Sequence, residues 1–178
     1  MIHACVFLDR DSTLQYDVGY PHKIEDLKFL PGVLDFLAKL SKTNYKIIII
    51  TNQSGIGRGI YNIEDFFGFN NHLIKILKEH NITIKKTYFC PHMPGDNCEC
   101  RKPKIKFLKE AEKEFCINLQ ESFVIGDRKS DFEMGKNAGC KTIHVFTGNG
   151  NNSKNKVNPD YFAKDLLDAA KWILENDQ

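Results

Sequence analysis

Five short apolar runs, separated by longer stretches with helical spacing, constrain this chain more than any other feature. The runs are Ala4 to Leu8, Lys46 to Thr51, Lys86 to Cys90, Ser122 to Gly126 and Lys141 to Phe146. Their brevity and, in the second, a wealth of β-branched residues predict buried strands. Between them, Val33, Leu34, Leu37 and Leu40 recur at helical spacing after Pro31-Gly32. Asn62 reads as a helix N-cap with Glu64 and Asp65 in the first turn, and Ile63, Phe66, Phe67, Leu73, Ile74 and Leu77 as one face. A helix is expected after Pro103 through Leu108 and Ala111. Leu166, Leu167, Ala170, Ile173 and Leu174 mark a closing one. Strands alternating with helices give an α/β fold: a Rossmann-like parallel sheet with helices on both faces and right-handed connections. Ligands of such sheets bind at the carboxyl ends of the strands. Asp9 follows the first run, Thr51 ends the second, and Asp127 follows the fourth. Gly148 to Asn158 is polar and reads as a loop too short to divide domains.

The 178 residues fit one domain spanning 1–178. Hydrophobic residues make up 42% and charged residues 27%, which argues against disorder. A formal net charge of +2 gives no broad pull toward nucleic acid or membrane. The start of the chain lacks the pattern of a signal peptide, and the longest aliphatic run, Ile47 to Ile50, is far too short to cross a bilayer. The expectation is a cytoplasmic monomer acting on a small molecule. In that compartment the cysteines, Cys5, Cys90, Cys98, Cys100, Cys116 and Cys140, favour metal binding over disulfides where they cluster.

Four polar motifs sit at or near strand ends. In Asp9-Arg10-Asp11-Ser12-Thr13, two carboxylates two residues apart suit nucleophilic attack and proton transfer; alone, the pattern fits a solvated turn equally well. The run Thr51-Asn52-Gln53-Ser54-Gly55-Ile56-Gly57-Arg58-Gly59 offers a hydroxyl and glycine-rich backbone to a phosphoryl oxygen, or is a plain strand-to-helix loop. Arg101-Lys102-Pro103 supplies phosphate-binding cations, or is a solvated basic run. In Gly126-Asp127-Arg128-Lys129-Ser130-Asp131, Asp127 is placed to bind magnesium, and Asp131 either binds metal through water or serves as a first-turn helix acid. A separate set, Cys90, His92, Cys98 and Cys100, offers three thiolates and an imidazole. That is a closed tetrahedral zinc site, structural because no position remains for water. The bland alternative is three buried cysteines and a surface histidine. Cys100 adjoins Arg101, so zinc is expected to fix where Arg101 and Lys102 point.

Together, in this order, the four motifs resemble the haloacid dehalogenase (HAD) superfamily of phosphohydrolases from Phe7 to about Gly148. The resemblance implies that Asp9 is the nucleophile and Asp11 the general acid and base. Thr51 and Lys102 would stabilise the phosphoryl group. Magnesium would be held by Asp9, the backbone carbonyl of Asp11, and Asp127. It also implies a sheet with no large cap domain, its entrance shaped by loops carrying Gly19-Tyr20, Arg58 and the zinc site.

Within the superfamily, the zinc loop followed by Cys-Arg-Lys-Pro is similar to two families. One is the D-glycero-D-manno-heptose 1,7-bisphosphate 7-phosphatases and the other the histidinol-phosphate phosphatases. Asp17-Val18-Gly19-Tyr20 with His22, Arg58 and Arg128 favour the first. There the resemblance assigns substrate contacts to Asp17, Tyr20, Asn52, Gln53, Ser54, Arg101 and Arg128. Two departures stand out: Ser12 where glycine is usual, and Ile105 where proline usually follows Arg-Lys-Pro-Lys. If position 12 needs φ > 0, serine there costs about 1 kcal/mol of strain. A phospho-accepting signalling domain and a zinc-stabilised interaction module with a vestigial acidic site remain the rival classes.

Overall fold

In the computed structural model, which describes residues 3–148 and 150–176, six strands rather than five form one parallel sheet. They are β1 (Cys5–Leu8), β2 (Lys46–Asn52), β3 (Lys86–Cys90), β4 (Phe123–Gly126), β5 (Lys141–Val145) and β6 (Tyr161–Ala163), in the order β3-β2-β1-β4-β5-β6. The sixth strand has only three residues, too few to show a hydrophobic pattern. Its register is set by Asp160, whose Oδ2 accepts hydrogen bonds from the Thr142 amide at 2.7 Å and hydroxyl at 2.8 Å. Tyr161 then stacks on Trp172, with ring centroids 5.1 Å apart.

The helices are α1 (Val33–Leu40), α2 (Ser54–Gly57), α3 (Ile63–Glu79), α4 (Lys106–Phe115), α5 (Lys129–Ala138), α6 (Gly150–Ser153) and α7 (Leu166–Glu175). Asn62 caps α3 reciprocally: its Oδ1 accepts from the Asp65 amide at 2.8 Å, and Asp65 accepts from the Asn62 amide at 2.9 Å. The buried stripe of α3 is Phe66, Phe69, Asn70, Leu73 and Leu77, while Ile63 and Phe67, expected inside, are exposed. Leu167 and Leu174 of α7 are likewise exposed, because Leu166, Ala169, Ala170 and Ile173 take the inner face. The stretch read as a loop from Gly148 contains α6 and a 3-10 turn at Lys154–Lys156.

Alternate residues of each central strand enter opposite cores, as the period of two requires. Val6, Leu8, Ile47 and Ile49 pack with α1, α3 and α7. Cys5, Phe7, Ile48 and Ile50 pack with α4 and α5. β1 lies between β2 and β4, where the chain reverses its direction of travel across the sheet. A crevice opens at the carboxyl ends there, and Asp9 and Asp127 directly follow its two flanking strands, β1 and β4.

Candidate active site

The ends of β1 and β4 are tied together, the Asp9 amide donating to the Ile125 carbonyl at 3.0 Å. Asp9, Asp127 and Asp131 are all buried, and one oxygen from each lies within 4.8 Å of the others. Asp131 reaches this group because Gly126 has no side chain: a Cβ there would stand 2.4 Å from the Asp131 carboxyl carbon. Lys102, also buried, places its Nζ 2.6 Å from Asp9 Oδ1 and 2.6 Å from Asp131 Oδ1. It donates as well to the Ile50 carbonyl at 2.8 Å. The sequence offered Asp131 only a supporting role, since a first-turn helix acid is ordinarily solvated; here it is an ion-pair partner of Lys102.

Lys102 pairs with Asp9 and Asp131, and the three carboxylates crowd together in a dry place. Burial, then the charges of Asp131, Asp127 and Asp11, push the Asp9 carboxyl up to about 7 against the pull of Lys102. On Lys102, the two partner carboxylates outweigh burial and raise its pKa. A dication fits this oxygen-rich, over-negative cluster. Asp9, Asp127 and Asp131 are the side chains that would surround it. The Asp11 carboxylate is not part of this group.

Asp11 is gripped from several sides. Arg10 donates to its two oxygens at 2.8 and 3.1 Å, Gln15 at 2.6 Å and Gln53 at 2.9 Å. Burial raises the Asp11 carboxyl, but the Arg10 charge and these hydrogen bonds prevail and hold it below the ordinary range. Arg10 itself is fully buried, its guanidinium 4.7 Å from the Phe69 ring centre and 5.6 Å from that of Phe66. No pattern in the sequence marks this arginine as internal. Ser12 does adopt φ +69°, the left-handed backbone that favours glycine.

The expected substrate-side residues converge on one cavity of about 310 Å³, lined among others by Asp17, Tyr20, Ser54, Arg101 and Arg128. Asp17 and Arg128 meet across it, Oδ2 to Nη2 at 3.1 Å. Asn52 also lines it, but its side chain clamps the Lys102 backbone, accepting from the amide at 3.1 Å and donating to the carbonyl at 3.3 Å. Gln53 lines it too, with its amide engaged inside the protein. Arg58 is exposed and is absent from the cavity lining.

Cys90, His92, Cys98 and Cys100 bring their ligand atoms within 4.8 Å of one another. Cys90 Sγ is 3.6 Å from His92 Nδ1 and 3.6 Å from Cys98 Sγ, and Cys100 Sγ is 3.3 Å from His92 Nδ1. A tetrahedral zinc with ordinary bond lengths requires S···S of about 3.8 Å and S···N of about 3.6 Å, so the four residues fit the ion. The loop is stitched to α2 by the Gly57 amide, which donates to the Pro91 carbonyl at 2.9 Å. A side chain at Gly57 would block that approach, its Cβ falling 2.8 Å from the same oxygen. Arg101 Nη1 donates to the His92 carbonyl at 3.0 Å, so the guanidinium rests directly on the ligand loop.

The family model described as "HAD-hyrolase-like" matches residues 99–169. A D-glycero-beta-D-manno-heptose-1,7-bisphosphate 7-phosphatase of Helicobacter pylori is 42% identical over 83% of this chain and 85% of its own. The chain belongs to the HAD superfamily of phosphatases. With its relatives it is a phosphoric monoester hydrolase. A D-glycero-alpha-D-manno-heptose-1,7-bisphosphate 7-phosphatase of Campylobacter jejuni is 37% identical over 97% of this chain and 96% of its own. Among solved structures, the D,D-heptose 1,7-bisphosphate phosphatase of B. bronchiseptica, complexed with magnesium and phosphate, superposes with a TM-score of 0.89. Its identity is 25%, over 97% of this chain and 99% of that one. Among the described residues no helix is long and apolar enough to cross a membrane.

Proposed function

We propose that this HAD phosphatase removes the 7-phosphate of D-glycero-D-manno-heptose 1,7-bisphosphate through an aspartyl-phosphate on Asp9. The observation carrying this reading is the cation arrangement of the cavity. Lys102 sits beside the attacking carboxylate, and Arg101 and Arg128 line the same space. One cation suffices for the phosphoryl group in transfer, and the two guanidinium groups suit a second phosphate. The names of the relatives point to the same sugar bisphosphate.

In the first step an Asp9 oxygen attacks phosphorus in line. The bond from phosphorus to the sugar oxygen breaks, and Asp11 gives that oxygen its proton. In the second, Asp11 takes a proton from water, whose oxygen attacks the same phosphorus. The bond to Asp9 breaks and inorganic phosphate leaves. Asp11 rests ionised, takes up one proton from solvent as the negatively charged phosphate arrives, gives it to the leaving oxygen in the first step, regains one from water in the second and returns it to solvent at the end of the cycle. Lys102 and the Thr51 hydroxyl offset charge on the phosphoryl oxygens. Magnesium, when bound by Asp9, Asp127 and the Asp11 carbonyl, supplies further charge neutralisation. Zinc on the four-ligand loop has a structural part, fixing Arg101.

The test is a magnesium-dependent substrate panel: both anomers of the heptose 1,7-bisphosphate, and histidinol phosphate. The expected result is a kcat/KM for one heptose anomer well above the rest. A preference for histidinol phosphate overturns the substrate. Asp9→Asn should reduce turnover by at least about a thousandfold with the fold intact; near wild-type turnover overturns the mechanism.

A further inference from the structure

Gln53 lines the cavity, yet its side chain has nothing left to offer a substrate. An amide presents two lone pairs on oxygen and two N–H groups. Here Oε1 accepts from Arg10 Nη2 at 3.0 Å and from the Tyr61 hydroxyl at 2.5 Å. Nε2 donates to Asp11 Oδ2 at 2.9 Å and to Thr51 Oγ1 at 2.7 Å. All four positions are used, and the residue is 3% exposed.

The partners also dictate which way the amide faces. Arg10 can only donate, so the amide oxygen must turn toward it. Asp11 Oδ2 already accepts from Arg10 Nη2, so the NH2 group must turn to that side. Thr51 Oγ1 then accepts from Gln53, and the hydroxyl's own proton is directed away from Gln53, available to a group in the cavity that Thr51 lines.

Arg10 and Tyr61 are built to enforce this. The Arg10 guanidinium donates to Asp11, Gln53 and the Pro21 carbonyl, and it lies over the Phe66 and Phe69 rings. Tyr61 reaches Gln53 across Gly55, where a Cβ would fall 2.1 Å from the tyrosine ring. Burial pushes the Tyr61 phenol up to about 12, so it stays a donor. Its ring stacks on His22 at 4.8 Å, and His22 Nδ1 lies 2.8 Å from the Tyr20 carbonyl. A continuous chain of contacts thus runs from the Tyr20 loop through Tyr61 to Gln53.

We propose that Gln53 is a positioning residue rather than a substrate contact. Oriented by Arg10 and Tyr61, its amide fixes the Asp11 carboxylate and leaves the Thr51 hydroxyl proton for a phosphoryl oxygen. The proposal rests on the phosphatase mechanism given above for the roles of Asp11 and Thr51, but not on the identity of the sugar.

The test compares Gln53→Met, Tyr61→Phe and the double variant on two esters. One is the sugar phosphate that the wild type hydrolyses best. The other is p-nitrophenyl phosphate, whose leaving group departs as a stable anion and needs little help from an acid. If the wild type prefers an alkyl phosphate other than the heptose bisphosphate, the substrate reading fails and this comparison proceeds on that ester. Gln53→Met should lower kcat on the sugar phosphate about ten- to a hundredfold, with KM within about twofold. The loss of kcat/KM on the aryl ester should be at least about fivefold smaller. Tyr61→Phe should show the same ester dependence at about three- to tenfold, and nothing further in the Gln53→Met background. If Gln53→Met does not fold, Tyr61→Phe removes a single oxygen and carries the ester comparison. A raised KM with kcat preserved would restore Gln53 as a substrate contact. Equal losses on the two esters, or independent effects of the two substitutions, also overturn the proposal.

Discussion

Gly148 faces Ser12 across the rim of the site, and both have left-handed backbones, φ +53° and +69°. A Cβ built on Gly148 would fall 2.2 Å from Ser12 Cβ and 3.0 Å from Asp127 Oδ2. Gly148→Ala therefore meets two separate costs. A side chain in left-handed backbone costs about 1–2 kcal/mol, and forcing a methyl into occupied space costs about 1–3 kcal/mol. Together these give roughly 2–5 kcal/mol of destabilisation, equivalent to a Tm lowered by at least about 4 °C in a domain of this size. Ser12→Gly removes the atom that the methyl strikes. By itself it relieves strain of about 1 kcal/mol, but frees the unfolded chain by a comparable amount, so the single variant should be close to neutral. In the double variant the steric part, roughly 1–3 kcal/mol, should return as a coupling energy. Urea unfolding of the four proteins measures it directly. Strict additivity within about 0.5 kcal/mol would refute the argument, as would a Gly148→Ala protein as stable as wild type. Turnover should fall in both proteins that carry the Gly148→Ala methyl, because its contact with Asp127 Oδ2 is not relieved by Ser12→Gly.

Lys102→Met should abolish turnover and cost about 3–5 kcal/mol in urea unfolding, since Asp9 and Asp131 lose their buried cation; a stability change under about 1 kcal/mol would contradict that. Elemental analysis of the purified protein should find one zinc per chain. Stripping it should lower both Tm and activity with magnesium restored, whereas full activity in zinc-free, folded protein would sever the link from the loop to Arg101. Burial raises the Asp160 carboxyl, but Lys136 and the Thr142 hydrogen bonds hold it below its ordinary 3.8. The stability it lends is therefore complete above that value and lost as pH falls through the lower folded value. Asp160→Asn should cost about 1 kcal/mol at neutral pH, discounted for partial exposure. Its unfolding curve should converge with wild type once pH has fallen through the folded value, and a gap that persists in acid would assign the loss to packing.

Where hydrophobic pattern alone decides structure, the chain is readable. β1 to β5 fall within a residue or so of the runs that announce them, and Asn62 caps the helix expected of it. β6 is silent because its register comes from a single aspartate before it rather than from apolar alternation. Ile63 and Phe67 mislead because α3 turns a narrower stripe inward than its hydrophobic residues would fill. At the site, acids and hydroxyls at strand ends could be named from position. What could not be seen is how charge is distributed in depth. Arg10 looks like a turn residue in a polar motif and becomes the largest fully buried side chain of the described chain. Asp131 looks like a helix-start acid and lies beside Lys102. Such placements depend on partners contributed by distant segments, and local sequence carries no record of them. Gln53 is the converse: its position suggests contact with a ligand, and only the full set of partners reveals that its hydrogen-bonding capacity is already committed.

A dication bound among Asp9, Asp127 and Asp131, as proposed, would also make the fold a sensor of that ion. Mutual repulsion in that cluster is carried by the folded state and absent from the unfolded chain, so binding of a dication lifts the unfolding free energy by mass action. At a free concentration a hundred times Kd, the lift is about 2.7 kcal/mol, a thermal shift of roughly 5–10 °C for a domain of this size. Melting temperature titrated against magnesium would thus report the affinity of the site without any substrate. In magnesium-poor conditions the molecule would lose robustness together with activity.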